Sequence, residues 1–90
     1  MVKIGKYTYE KSTKKDKKLM TVVDGKTIHF GSRNMEHYKD KTGIWSHLDH
    51  NDKARRKNYL TRSAGIKNKK GLLTKDDPKS PNWHSRKILW

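Results

Sequence analysis

The dipeptide Asp24-Gly25, set between Lys18-Leu-Met-Thr-Val-Val23 and Lys26-Thr-Ile-His-Phe30, constrains the fold of this chain more than any other feature. Both flanking runs are rich in apolar and β-branched residues. A two-residue loop between such runs closes a type I′ hairpin, because Asp and Gly tolerate the positive φ that this turn demands. The loop length also sets the register: Val23 opposes Lys26, Thr21 opposes Ile28 and Leu19 opposes Phe30. Leu19, Thr21, Val23, Ile28 and Phe30 then share one face, expected to be buried, while Met20, Val22, Thr27 and His29 share the other. A lone hairpin is marginal in water. The alternating Lys6-Tyr7-Thr8-Tyr9-Glu10 is therefore expected to add a third antiparallel strand, giving a meander over residues 6–30.

Beyond the hairpin, residues 31–49 read as a turn-rich link with one apolar cluster, Ile44-Trp45-Ser-His-Leu48, able to form a helical turn on the sheet. Asn51 or Asp52 can N-cap a helix over residues 52–63, with Gly65 as a left-handed stop. Arg56, Leu60 and Ala64 line up on one side of its wheel, with Tyr59 and Ser63 beside them; Arg55, Asn58 and Arg62 lie on the other. Residues 65–80 form a Lys- and Asp-rich connection with Leu72-Leu73 as its anchor. Ser80-Pro81 supplies an N-cap and first position for a short Trp-rich terminal helix over residues 81–90. The expected architecture is one small α+β domain spanning residues 1–90: a three-stranded antiparallel meander, one main helix packed on its apolar face, and a short C-terminal helix.

Such a domain has little with which to hold itself together. Of 90 residues only 30% are hydrophobic and none is cysteine, so neither disulfides nor a thiolate zinc site can staple it. The three Trp, four Tyr and one Phe nevertheless argue against a disordered chain, and the final segment is expected to be ordered by burial of its rings. No apolar stretch approaches the roughly 20 residues of a membrane span, and no signal-peptide core is visible. The expectation is a soluble, non-secreted chain with no membrane partner.

Charge points to function. Twenty-three Lys and Arg stand against nine Asp and Glu, a formal +14, and so large a charge on so small a body is relieved by a polyanion. The cations fall in two blocks. The loop Lys11-Ser-Thr-Lys-Lys-Asp-Lys-Lys18 supplies Lys14, Lys15, Lys17 and Lys18. The helix and its exit supply Lys53, Arg55, Arg56, Arg62, Lys67, Lys69 and Lys70, with Lys57 among them, and Arg suits bidentate phosphate recognition. Trp45, Trp83 and Trp90 are candidates for structural or docking roles, and Tyr7, Tyr9 and Trp45 for stacking on unpaired bases or for core packing. Enzymatic chemistry has no comparable support. G-x-S-x-G, P-loop and G-x-G-x-x-G motifs are absent, and no paired carboxylates accompany the histidines. His47 and His50, with Asp49 between them, fall short of a zinc shell unless His37 or His84 joins them. Neither a metal nor another cofactor is expected.

The run His50-Asn-Asp-Lys-Ala-Arg55-Arg56-Lys-Asn-Tyr59-Leu-Thr-Arg62 resembles the His-x-Asp…Arg-Lys/Arg-x-x-Tyr-x-x-Arg segment of small basic proteins of nucleocytoplasmic large DNA viruses, of the chlorovirus and mimivirus kind. Trp83-His-Ser85-Arg86-Lys-Ile-Leu89-Trp90 resembles their Trp-Ser-Arg/Lys-x-Leu-Leu-Trp ending, and Ile28-His-Phe30-Gly31 their Val-x-Phe-Gly strand end. These stretches span residues 28–90; Asn34 to Leu48 is longer here than in the family pattern. The resemblance implies a viral context without an assigned activity. With the charge, it leads to the expectation of a non-enzymatic virion protein, in the virion, the host nucleus or a cytoplasmic virus factory. Its partner would be nucleic acid bound with little sequence preference, DNA ahead of RNA. The alternative is a minor capsid or cement protein docking on acidic capsid subunits.

Overall fold

The computed structural model describes all residues 1–90. Its sheet contains β1 (Val2–Ile4), β2 (Tyr7–Lys11), β3 (Lys17–Val23) and β4 (Lys26–Ser32), antiparallel in the order β1-β2-β3-β4. The Asp24-Gly25 turn has the geometry its sequence demands, with φ of 50° and 79°. The expected pairs Val23–Lys26, Thr21–Ile28 and Leu19–Phe30 all form, and the five residues assigned to the inner face are all buried. The sheet has four strands rather than three. β1 joins through a second two-residue turn, opened by Gly5 at φ 62°, which pairs Ile4 with Tyr7.

Two helices follow, α1 (Lys53–Ser63) and α2 (Pro81–Ile88). Asp52 caps α1, its carboxylate accepting from the N–H groups of Ala54 and Arg55, and Ser80 caps α2 through the N–H of Asn82. Gly65 is not the left-handed stop that the sequence suggests: Ala64 closes α1 in a right-handed conformation. The larger correction concerns which helix covers the sheet. Ile88 and Leu89, at the end of α2, are 2% and 1% exposed and complete a core with Tyr9, Leu19 and Phe30. Helix α1 instead packs on α2, with Ser63 as its sole buried residue. The physical reason is composition. Its inner stripe holds Tyr59, Leu60 and Ser63, too little apolar surface to displace the Ile-Leu pair from the sheet.

Residues 33–49 form a strap rather than a loose link. The N–H groups of Lys39 and Lys41 donate to the carbonyls of Leu89 and Ile88, and His37 exchanges backbone bonds with Leu48 and His50. Ile44 and Trp45 pack against the core, and a single 3₁₀ turn at Ser46–Leu48 stands where a helical turn was expected. Asp40 is 4% exposed, and its carboxylate accepts from Thr42 and from the N–H of Trp45. In the connection after α1, Leu73 pairs with Lys67 and is half-buried, whereas Leu72 is 60% exposed, so only one of the two leucines anchors.

Candidate nucleic-acid interface

Helix α1 is the most cationic element and the least buried. Lys53, Arg55, Arg56, Lys57 and Arg62 are all exposed, and beyond the capping Asp52 carboxylate the first turn holds no acidic side chain. Such a helix needs outside support, and α2 provides it. The Tyr59 hydroxyl donates to Ser85 Oγ at 3.0 Å, while its ring stacks on Trp90 with centroids 4.2 Å apart. Arg86 donates to the carbonyl of Leu60 at 2.6 Å and to Ser63 Oγ, which engages this cation at the negative end of α1. Arg56 Nε donates to the Trp90 carbonyl at 2.7 Å, with its guanidinium 5.2 Å from the Tyr38 ring. Arg55 meets Glu36 at 3.3 Å, an exposed pair that contributes little stability and leaves Arg55 free to exchange partners.

A cleft of about 1040 Å³ opens between α1 and the end of the β3–β4 ribbon. Lys17, Arg55, Lys57 and Arg62 line it, Glu36 is its one acidic side chain, and Phe30 and Leu89 contribute to its apolar lining. The fold therefore brings together four cations singled out in the sequence, Lys17, Lys18, Arg55 and Arg62, from segments almost forty residues apart, although the Lys18 side chain is buried in the cleft wall. Lys14 and Lys15 stand exposed at the tip of the β2–β3 loop, and Lys67, Lys69 and Lys70 are exposed after α1; none of these five lines the cleft, nor do Lys53 and Arg56.

Lys18 differs from the other ten. It is 1% exposed, and its ammonium donates to the Met35 carbonyl and, at 2.8 Å, to His37 Nδ1, so it holds the strap and is not presented to a phosphate. Burial pushes its pKa down to about 8, against the opposing pull of Asp40, Asp49 and Glu36. An imidazole that accepts at Nδ1 carries its proton on Nε2, and His37 donates from Nε2 to Asp49 Oδ1 at 2.5 Å. Burial, followed by the neighbouring Lys18, lowers the His37 pKa and keeps the ring neutral. Sequence spacing does not reveal this Lys18–His37–Asp49 chain, because its members lie on β3 and on both ends of the strap. The carboxylates of Asp40 and Asp49 accept five hydrogen bonds within the strap, of which those from Thr42 to Asp40 form a local Asx turn, while those from His37 and the Asp40 N–H to Asp49 span nine residues or more and have no short-range signal.

The aromatic candidates turn inward. Tyr9 is 1% exposed with its hydroxyl on His84 Nδ1 at 2.9 Å, so it is a core residue and offers no face to a base. Tyr7 meets Trp83 edge-on at 5.6 Å. Trp45 donates from Nε1 to the Lys18 carbonyl at 2.8 Å, and its ring lies within cation–π distance of Lys11 and Arg33. No three His, Cys, Asp or Glu side chains converge as a metal shell would require, and no helix is long and apolar enough to cross a membrane.

Residues 7–63 match the model of a family of unknown function, DUF5754. The match runs from β2 through the strap to the end of α1 and so includes the cationic cleft wall, while β1 and α2 lie outside it. No curated protein and no solved structure matches the chain.

Proposed function

We propose, for a chain that belongs to the DUF5754 family of unknown function, that it is a non-enzymatic basic protein which binds nucleic acid electrostatically and with little sequence preference. The observation that carries this reading is the exposed, acid-free cationic face of α1, with Arg55 and Arg62 facing Lys17 across one cleft. Phosphates of a polyanion are the groups such a surface attracts, and counterion release supplies the driving force. The cations carry no evident set for reading base edges, and the rings nearest them, Tyr59 and Trp90, are stacked on each other, so recognition rests on the backbone of the nucleic acid. The resemblance to small basic proteins of large DNA viruses makes the virion, the host nucleus or a virus factory the setting, with packaged DNA as the partner.

The test is anisotropy titration with labelled duplexes of unrelated sequence over a range of salt. For about six neutralised phosphates the log-log slope of affinity against salt is expected near −5. Arg55→Glu and Arg62→Glu should each weaken binding to every duplex alike, and Lys18→Met should leave the slope unchanged. Absence of binding at low salt would overturn the reading. The second reading, docking on acidic capsid subunits, uses the same cations but not the tryptophans, since all three are engaged in the chain's own packing.

A further inference from the structure

The cleft between α1 and the β3–β4 ribbon is selective by shape as well as by charge. Its volume of about 1040 Å³ corresponds to a width on the order of 10 Å, narrower than the roughly 12 Å major groove of a duplex and far narrower than the duplex itself. A duplex can lie across the rim but cannot enter. Cations nevertheless stand on both walls, Lys17 at the start of β3 and Arg55, Lys57 and Arg62 on α1. Arg55 and Arg62 are seven residues apart, about two helical turns, so they share one line along α1 about 10 Å long. Only a chain lying between the walls reaches Lys17 and this line together. The acceptors at the border are already partnered: Glu36 meets Arg55 at 3.3 Å, and the Trp90 carbonyl accepts from Arg56 at 2.7 Å. The lining also has an open apolar contact. Met35 is 62% exposed beside these cations, and a thioether is a polarisable surface for a flat ring.

We propose that this cleft holds an unpaired strand of nucleic acid, with its phosphates between Lys17 and the Arg55–Arg62 line and a base lying against Met35 without being read. The proposal rests on the nucleic-acid reading above and gives it a preferred strand form. At a rise of roughly 3.4 Å per stacked nucleotide the arginine line spans about three steps, so a short segment fills the cleft. Every nucleotide joins an anionic group to a flat, largely apolar face, which is the combination this lining meets. An acidic peptide side chain supplies only the charge.

Charge alone predicts the opposite preference, because a duplex releases about 0.9 counterion per contacted phosphate and a single strand about 0.7. The test is anisotropy titration of the full chain with oligo-dT, oligo-rU and a blunt hairpin duplex of equal phosphate number. At a given salt concentration at least one single strand is expected to bind severalfold more tightly than the duplex, and the tighter of the two identifies DNA or RNA as the occupant. With one phosphate for each of Lys17, Arg55, Lys57 and Arg62, the log-log salt slope for the single strand should lie near about −3, against about −5 for the duplex. Met35→Ser should weaken the single strand severalfold and leave the duplex unchanged. Lys17→Gln should weaken the single strand about tenfold, and more than it weakens the duplex. A duplex bound more tightly than both single strands would overturn the proposal and leave the function above standing, as would single strands indifferent to Met35→Ser. Displacement of oligo-dT by poly-glutamate of equal charge would overturn it too and assign the cleft to acidic chains. No binding of any nucleic acid at low salt would overturn both readings.

Discussion

Lys18 is a cation without solvent, and the groups around it explain why it is tolerated. Its ammonium has the Met35 carbonyl and His37 Nδ1 as acceptors, and Asp49 Oδ1 accepts from both the His37 Nε2–H and the Asp40 N–H. Removing the charge leaves two buried acceptors without a donor and the carboxylates without their cation. Lys18→Met is therefore expected to cost about 2–3 kcal/mol by urea unfolding, the range for losing hydrogen bonds to a charged group and orphaning their acceptors. Lys14→Met, at the exposed loop tip, should stay within about 0.5 kcal/mol. Gly31 is a second sensitive position. It sits at φ 79°, and a Cβ there would lie 2.7 Å from Leu89 Cδ1 and 3.2 Å from Lys18 Cβ. Gly31→Ala combines backbone strain with overpacking, and a loss of about 2 kcal/mol is expected, read as a lowered melting temperature. Both positions tie the strap and the C-terminus to the β3–β4 ribbon.

At the scale of elements, the decisive piece is the last one. Helix α2 carries Ile88 and Leu89 into the core and supplies Ser85, Arg86 and Trp90 as the seat of α1. Leu89→Ala should cost about 2–5 kcal/mol, as truncation of a buried leucine does. Deleting Leu89 and Trp90 should abolish the cooperative melt of the isolated protein, because the core loses its lid and α1 its stacking partner in one step. A retained cooperative melt would show that the sheet and strap hold without α2. Helix α1 is expected to respond differently. Asp52→Ala removes its only side-chain cap and should cost about 1 kcal/mol. The loss should appear as faster amide exchange across residues 53–63, with the sheet unaffected.

For the molecule as a whole, the buried titratable groups define a pH window. Burial lowers the pKa of His37, His50 and His84 below the ordinary 6.5. As pH falls below about 6.5 the unfolded chain takes up protons before the folded one, so stability is full above that value and lost progressively beneath it. Lys18, at about 8 when folded, gives up its proton earlier than an unfolded lysine near 10.5, so stability rises between those values. Tyr9 acts at the other end. Burial raises it to about 12, and above pH 10 the unfolded tyrosine ionises first, which removes stability again. Urea midpoints are expected to fall steeply from pH 6.5 to 4.5 and to hold or rise from 7 to 10. His84→Gln, which retains a donor toward the Pro78 carbonyl, should flatten the acid limb. An acid limb unchanged in that variant would assign the effect to the other two histidines.

What the amino-acid sequence determined by itself is local. Asp24-Gly25 dictates a turn, its two-residue length dictates the register, and alternation dictates the buried face; each step links residues within about a dozen positions. Asp52 and Ser80 mark the helix starts for the same reason. Gly5-Lys6 between Ile4 and Tyr7 is a turn of the same length, but a three-residue strand before it carries too little alternation to be read, so β1 emerged only with the structure. The tertiary structure alone decided which helix lies on the sheet, because that is a competition between two apolar stripes for one surface, and neither stripe's sequence states the outcome. It also separated Lys18 from the ten other cations of its class. A lysine's burial depends on what folds over it, and here the cover is His37 and Asp49 on a strap whose own sequence reads as a run of turns. The cleft that joins Lys17 to Arg55 and Arg62 is likewise a product of packing, since nothing local relates the start of β3 to the face of α1.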